Sequence, residues 1–392
     1  MDASLYEYTL INLTKCGING SEPNKIDDRV DLKLLCKLAR IHSLINVIYE
    51  PLSKANVLEA ELKKEMFQYN NIGIMNDTVQ IYYLDQITDL FEKNEIPHCV
   101  MKGPILKKLY PQSYYRQSGD LDIYVPEKYR EKAKDIMLSL GFEIERYRID
   151  DADDVYFMPN KIHIELHRVL ISNKTPWQAE CQKIADRLVL ADDKKYSYKM
   201  TDEDYYLYMI AHMAKHMKYS GFGIKMVLDV WIYMKKYGNT LSRSVLNERL
   251  CLCGLDEFEK NILSLVEYWF EGGQASEMIK KLARYVFLSG TFGTREQLDS
   301  YFMIENLDGA NNKYAAKFNS YRHSLFPTFE AMSKRYSILK KYPALLPILW
   351  VYRFFEILMF DRRKFKEVIK RYDNTDLDES KRIFDFKKQI GL

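Results

Sequence analysis

The tetrapeptide Asp120-Leu121-Asp122-Ile123 constrains this chain more than any other stretch. Successive side chains on a β-strand point to opposite faces, so residues two apart share a face. Read as a strand, Asp120–Val125 puts two carboxylates on one face and turns Leu121 and Ile123 into the core. Two like charges at that spacing are costly unless something neutralises them, and a divalent cation does so.

The neighbouring segments predict a small sheet around that strand. His98–Met101 reads as a short buried strand ending in Lys102-Gly103, a tight turn, with Pro104 at the start of a helix. A polar loop over 112–118 carries Arg116 and Ser118. Pro126-Glu127 opens a helix that Gly141 caps, and 142–148 alternates like a strand. Asp150–Asp154 reads as a solvated acidic loop. Segments 155–158 and 161–169 form a predicted hairpin whose second strand presents His163, Glu165 and His167 on one face. The expectation is an α+β fold, with a small mixed-sheet core flanked by N-terminal and C-terminal helical regions. The predicted divisions are a helical region at 1–95, the α/β core at 96–200, a helical domain at 201–290 and a helical and loop region at 291–392.

The flanks carry the three-and-four spacing of amphipathic helices. One helix is expected from Asp28 until Pro51 ends it, with His42 as a packed or surface histidine. A second long pattern runs over 57–93. Thr201–Asp204 resembles a capping box. It opens a helix that brings His212, Lys215 and His216 together. The loop Tyr219–Gly223 leads to a further helix containing Lys225 and Asp229. Residues 290–325 read as a long polar loop or insertion. The apolar segment 344–360 is interrupted by Pro347, Arg353 and Glu356 and falls short of the roughly 20 residues a membrane span needs. No transmembrane segment is therefore expected. With Arg362–Lys366 behind it, the 344–366 stretch reads as a buried or partner-binding helix, or as a contact with a membrane surface.

Composition closes some alternatives. A net charge of +3 does not by itself argue for nucleic-acid binding. Six scattered cysteines form neither a disulfide framework nor a paired zinc site. The first residues lack the pattern of a signal peptide, so a reduced cytoplasmic compartment is expected. Abundant Tyr and Lys suggest, by association, a bacterial origin.

The run Lys102-Gly103, Asp120-x-Asp122 and Glu165, within residues 98–168, resembles the nucleotidyltransferase fold related to DNA polymerase beta. It is most similar to the bacterial branch of uncharacterised nucleotidyltransferases. The resemblance implies transfer of a nucleoside monophosphate from a nucleoside triphosphate such as ATP to a hydroxyl acceptor: a small molecule, a protein or a tRNA. It also implies a two-metal site for Mg²⁺ or Mn²⁺, with Asp120, Asp122 and Glu165 as catalytic residues and metal ligands. The chemistry fits, because negative charge builds on both attacking and leaving oxygens and cations held by carboxylates stabilise it. On this reading Lys102, Gly103, Arg116, Ser118 and Lys215 bind the nucleotide and its phosphates, Lys225 can reach them, and His167 and His216 stand beside the ligands. Many members of the wider superfamily carry Gly-Gly or Gly-Ser at the turn, where this chain has Lys-Gly-Pro.

That departure motivates one alternative, an inactive nucleotidyltransferase scaffold kept as a nucleotide- or protein-binding module. A second alternative is a zinc or iron hydrolase built from His163, Glu165, His167, His212 and His216. There is no G-x-S-x-G, Walker A or dinucleotide-binding glycine pattern.

Overall fold

Seven strands form one mixed sheet: β1 (His98–Val100), β2 (Asp120–Tyr124), β3 (Glu143–Arg146), β4 (Asp153–Met158), β5 (Ile162–His167), β6 (Val189–Leu190) and β7 (Ser197–Lys199). Their spatial order is β3-β4-β5-β2-β1-β7-β6. β2 pairs parallel to β5 and antiparallel to β1, and β7 joins β1 in parallel. The computed structural model describes residues 2–147, 152–159, 162–171, 175–305, 322, 325–336, 338–360 and 376–392. The predicted hairpin turn at 160–161, the start of the acidic loop, most of 306–324 and the basic run 362–366 lie outside these residues.

The α+β expectation holds, with helices on both sides of the sheet in sequence. Alternation explains the position of β2. Leu121 and Ile123 join Ile164 and Leu166 of β5 in a buried cluster with Ile87 and Phe91 from α4 (Ala60–Lys93) and Ala133 and Met137 from α6 (Arg130–Ser139). The acidic residues of both strands therefore line the opposite face. The two-residue strand β6 and the three-residue strand β7 carried no legible pattern of their own in the sequence. They exist because β7 completes the hydrogen bonding of β1.

Several helical expectations need correction. The predicted Asp28–Pro51 helix is two helices, α2 (Leu32–Ile41) and α3 (Ile45–Lys54), broken where Ser43 adopts φ 58°. Pro51 lies inside α3 rather than ending it. The break places His42 in the interior, fully buried. Its Nδ1 accepts from the amide of Ile224 at 3.3 Å, so Nε2 carries the proton and donates to the carbonyl of Phe287 at 2.9 Å. The acidic loop was read as solvated, but its end begins β4. Asp154 is buried there and takes two hydrogen bonds from Arg130, at 2.8 and 2.7 Å. Within the predicted 290–325 loop, Arg295–Glu305 is helical.

The chain divides into two units: Met1–His216 with Phe222–Phe292 and Gly391, and Met217–Gly221 with Gly293–Ile390 and Leu392. In the second, the helices Arg295–Glu305 and Leu377–Gln389 meet around Met303 and Leu377. The helix Leu346–Phe360 is not buried as one reading expected, since Ile348, Val351, Tyr352 and Phe355 are more than half exposed. Among the described residues no helix is long and apolar enough to cross a membrane.

His42 supplies a pH test of the fold. Burial pushes its pKa down to about 4, with the Phe287 carbonyl opposing weakly. The unfolded chain, with an ordinary histidine near 6.5, binds a proton between those values that the folded chain refuses. Stability is then fully present above pH 6.5 and falls as pH drops toward 4. Between pH 7 and 5 this one group accounts for about 2 kcal/mol. Thermal melts across that range are expected to show a shallower pH dependence for His42→Gln than for the parent, and equal slopes would contradict the assignment.

Candidate functional site: three carboxylates, a lysine and a histidine

The parallel register of β2 and β5 pairs Asp122 with Glu165 and Tyr124 with His167. Residues at matched positions on parallel strands point the same way, so Asp120, Asp122, Glu165 and His167 share the open face of the sheet. His167 Nε2 donates to Asp122 Oδ1 at 2.7 Å and lies 3.3 Å from Glu165 Oε2. The turn after β1 aims the Lys102 ammonium at the same oxygen, with Nζ 2.6 Å from Asp122 Oδ1.

The electrostatics follow from this crowding. Burial opposes ionisation of Asp122, but the Lys102 charge and the His167 hydrogen bond outweigh it and hold the carboxyl well below its usual range. Burial also works against the charges of Lys102 and His167. The adjacent carboxylates win in both cases and raise the two pKa values. Glu165 is lowered, chiefly by its hydrogen bond to His167. Asp120 goes the other way, raised first by burial and then by the charge of Asp122.

Gly103 itself is not the left-handed residue of the turn. The left-handed backbone falls on the preceding residue, since Lys102 has φ 47° and ψ −115°. Gly103 is required for space instead. A Cβ there would sit 2.9 Å from Ser118 Oγ and 3.1 Å from Arg116 Nη1. Three hydrogen bonds hold the Lys102 carbonyl, from the Tyr205 hydroxyl at 2.8 Å and the amides of Ile105 and Leu106.

A cavity of about 250 Å³ opens in front of the carboxylates. Asp120, Asp122, Glu165, Lys102, Gly103 and Ser118 line one side. α8 (Asp202–Tyr219) and α9 (Ile224–Tyr237) line the other, with Lys215, His216 and Lys225. Among the described residues, several polar groups that line this cavity have no hydrogen-bond partner, the Tyr208 hydroxyl among them. Ser118 Oγ is buried without a hydrogen-bond partner, and Lys215 makes no hydrogen bond or ion pair. Lys225 donates to the carbonyl of Gln117 at 3.0 Å, and burial, then Arg116, push its pKa down to about 8. His216 packs against His212 with their Nε2 atoms 3.1 Å apart, and burial, then Lys102, push its pKa down to about 4.

Arg116 also lines the cavity, but its Nε and Nη2 are engaged by Asp229 of α9 at 3.0 and 2.9 Å. Asp229 accepts from the Tyr110 hydroxyl at 2.7 Å as well. The site loop is anchored from below. Lys107 donates to Asp77 of α4 at 2.7 Å and also reaches Gln80, and Gln80 in turn donates to the carbonyl of Ser118 at 2.9 Å. Sequence reasoning missed these anchors. The available signal was a charged residue within an apolar helical pattern, as at Asp229, since a buried carboxylate requires a partner.

The five residues of the hydrolase alternative do not gather into one ligand set. His163 is exposed and lies 3.3 Å from Glu145, while His212 and His216 face each other. Among the described residues, the one group of three potential metal ligands is Asp122, Glu165 and His167, whose donor atoms lie within 4.8 Å of one another.

A family model described as "Uncharacterised nucleotidyltransferase" matches residues 28–271. The chain belongs to this nucleotidyltransferase family. The match takes in every site residue above except Phe292, which also borders the cavity. The chain is also similar to the antibiotic-resistance factor ANT(2'')-Ia in its solution structure. The identity is 12% and the TM-score 0.33, over 50% of this chain and all of that one. No curated protein matches the chain. The clustered donors, two carboxylates and one imidazole, suit a divalent cation, and Asp120 stands on the same face outside that cluster.

Removing Asp229 tests the anchoring of the loop. Asp229→Ala strands a buried guanidinium and the Tyr110 hydroxyl, which is expected to cost about 3–5 kcal/mol. A large fall in melting temperature is the expected reading. An unchanged melt would mean that Arg116 finds water instead.

Proposed function

We propose that this nucleotidyltransferase moves a nucleoside monophosphate from a nucleoside triphosphate to a hydroxyl acceptor, using a divalent cation, Mg²⁺ or Mn²⁺, held by Asp120, Asp122 and Glu165. The observation that carries the reading is the parallel register of β2 and β5, which aligns Asp122 with Glu165 and gives Asp120 the same face. A bound cation would supply charge neutralisation for the triphosphate and the reacting oxygens.

The chain's own residues do the rest. Lys215 and the Ser118 hydroxyl are unpaired groups beside the carboxylates, suited to phosphate oxygens. Arg116 keeps Nη1 next to Gly103, where the absent side chain leaves room. Lys225, with its lowered pKa, adds a cation that shifts readily on meeting an anion. His167 orients Asp122 and Glu165 through one nitrogen. In the transfer, the acceptor oxygen forms a bond to the α-phosphorus and the bridging P–O bond to the β-phosphate breaks. Pyrophosphate takes the electron pair, and the acceptor's proton passes to a carboxylate of the site. The acceptor is a small molecule, a protein or a tRNA, and the reduced compartment expected from the sequence is the cytoplasm.

Substitution of Asp122 by Asn tests the reading. It keeps the shape but removes the charge that Lys102 and His167 flank. Transfer of label from an α-³²P nucleoside triphosphate, with Mg²⁺ and a panel of acceptors, is expected to fall about 10³-fold, as several kcal/mol of lost charge stabilisation requires. Nucleotide binding without pyrophosphate release in the parent protein would instead favour the binding-module reading.

A further inference from the structure

We propose that the Lys102 ammonium serves as a built-in replacement for one of the two cations of a two-metal site, so that the carboxylates of this chain bind a single divalent ion. The inference rests on the nucleotidyltransferase reading and deepens it.

Three observations lead to it. First, Lys102 Nζ and His167 Nε2 both bond Asp122 Oδ1, at 2.6 and 2.7 Å. A carboxylate that bridges two ions offers one oxygen to each. Here one oxygen already carries two hydrogen-bond donors, and an ion on it would meet the ammonium directly. Oδ2 is left, with Glu165, for one ion, and Asp120 shares their face.

Second, the backbone of Lys102 has φ 47° and ψ −115°, a conformation costing a non-glycine residue roughly 1–3 kcal/mol. Glycine would adopt it with little strain. The strained residue of this turn is the one whose side chain ends on Asp122. The carbonyl is pinned by the Tyr205 hydroxyl at 2.8 Å, so the geometry is built in and not a loose surface contact.

Third, positive charge already lines the site. Asp120, Asp122 and Glu165 share their face with the Lys102 ammonium. Lys215 and Lys225 stand across the same cavity. A second divalent ion would have to sit among these lysines.

Equilibrium dialysis of the full chain with Mn²⁺ and a nonhydrolysable nucleoside triphosphate counts the ions. One Mn²⁺ per chain is expected in the parent protein and two in Lys102→Gly, which relaxes the turn and withdraws the ammonium from Asp122. Circular dichroism verifies that the variant folds. Lys102→Gln, which keeps the side-chain length, is the second variant and is expected to give the same count as Lys102→Gly. Dipolar coupling between two Mn²⁺ ions in electron paramagnetic resonance is expected only in the variants. Two ions in the parent overturn the inference and leave the proposed function standing. One ion in the parent and in both variants also overturns it, because the ammonium then excludes nothing. No ion in the parent overturns the inference together with the reading on which it rests.

Discussion

Asp122 is a buried carboxylate placed on a central strand with a second and a third carboxylate on the same face. Unpaired buried charge is prohibitively costly, and like charges alongside make it worse. The site is organised around meeting that demand. Lys102 approaches from the turn after β1 and His167 from the end of β5, and both bond the same oxygen. The strained turn, the hydroxyl of Tyr205 that pins it and the space left by Gly103 are all arrangements that deliver the ammonium to this point.

The remaining structure holds this arrangement in place through further buried ion pairs. Arg116 joins the loop before β2 to Asp229 of α9, and Lys107 joins the turn helix to Asp77 of α4. Such pairs add little net stability, because desolvation offsets attraction, but losing one partner is costly. They therefore fix geometry more than they stabilise the fold. The apolar contribution comes from the other face, where Leu121, Ile123, Ile164 and Leu166 pack beneath α4 and α6. One strand thus serves both ends: its odd residues hold the core and its even residues form the site.

That division was legible in the sequence because it rests on the period of two. The positions of Asp120, Asp122 and Glu165 on one face, and the mixed sheet around them, followed from alternation and from the resemblance of the motif. What was not legible depended on long-range partners. Lys102 was read as a phosphate cation, and only the fold reveals that it reaches Asp122, twenty residues on. Arg116 was read likewise and is largely engaged by Asp229, over a hundred residues away. The kink at Ser43 was invisible because the apolar pattern of 28–51 continues through it, and the buried position of His42 depends on α9 and α12 (Glu277–Ser289) closing over it. The strands β6 and β7 are too short to show a pattern.

On the proposed function, the carboxylate face and the cavity before it receive a nucleoside triphosphate with its cation. The most direct measurement is a crystal structure with a nonhydrolysable nucleoside triphosphate and Mn²⁺, with the metal located by anomalous scattering. The expected result is an anomalous peak among Asp120, Asp122 and Glu165, with the α-phosphate beside it and phosphate oxygens near Gly103 and Lys215. A nucleotide bound away from β2 and β5, or one seated in the cavity with no peak at these carboxylates, would contradict it.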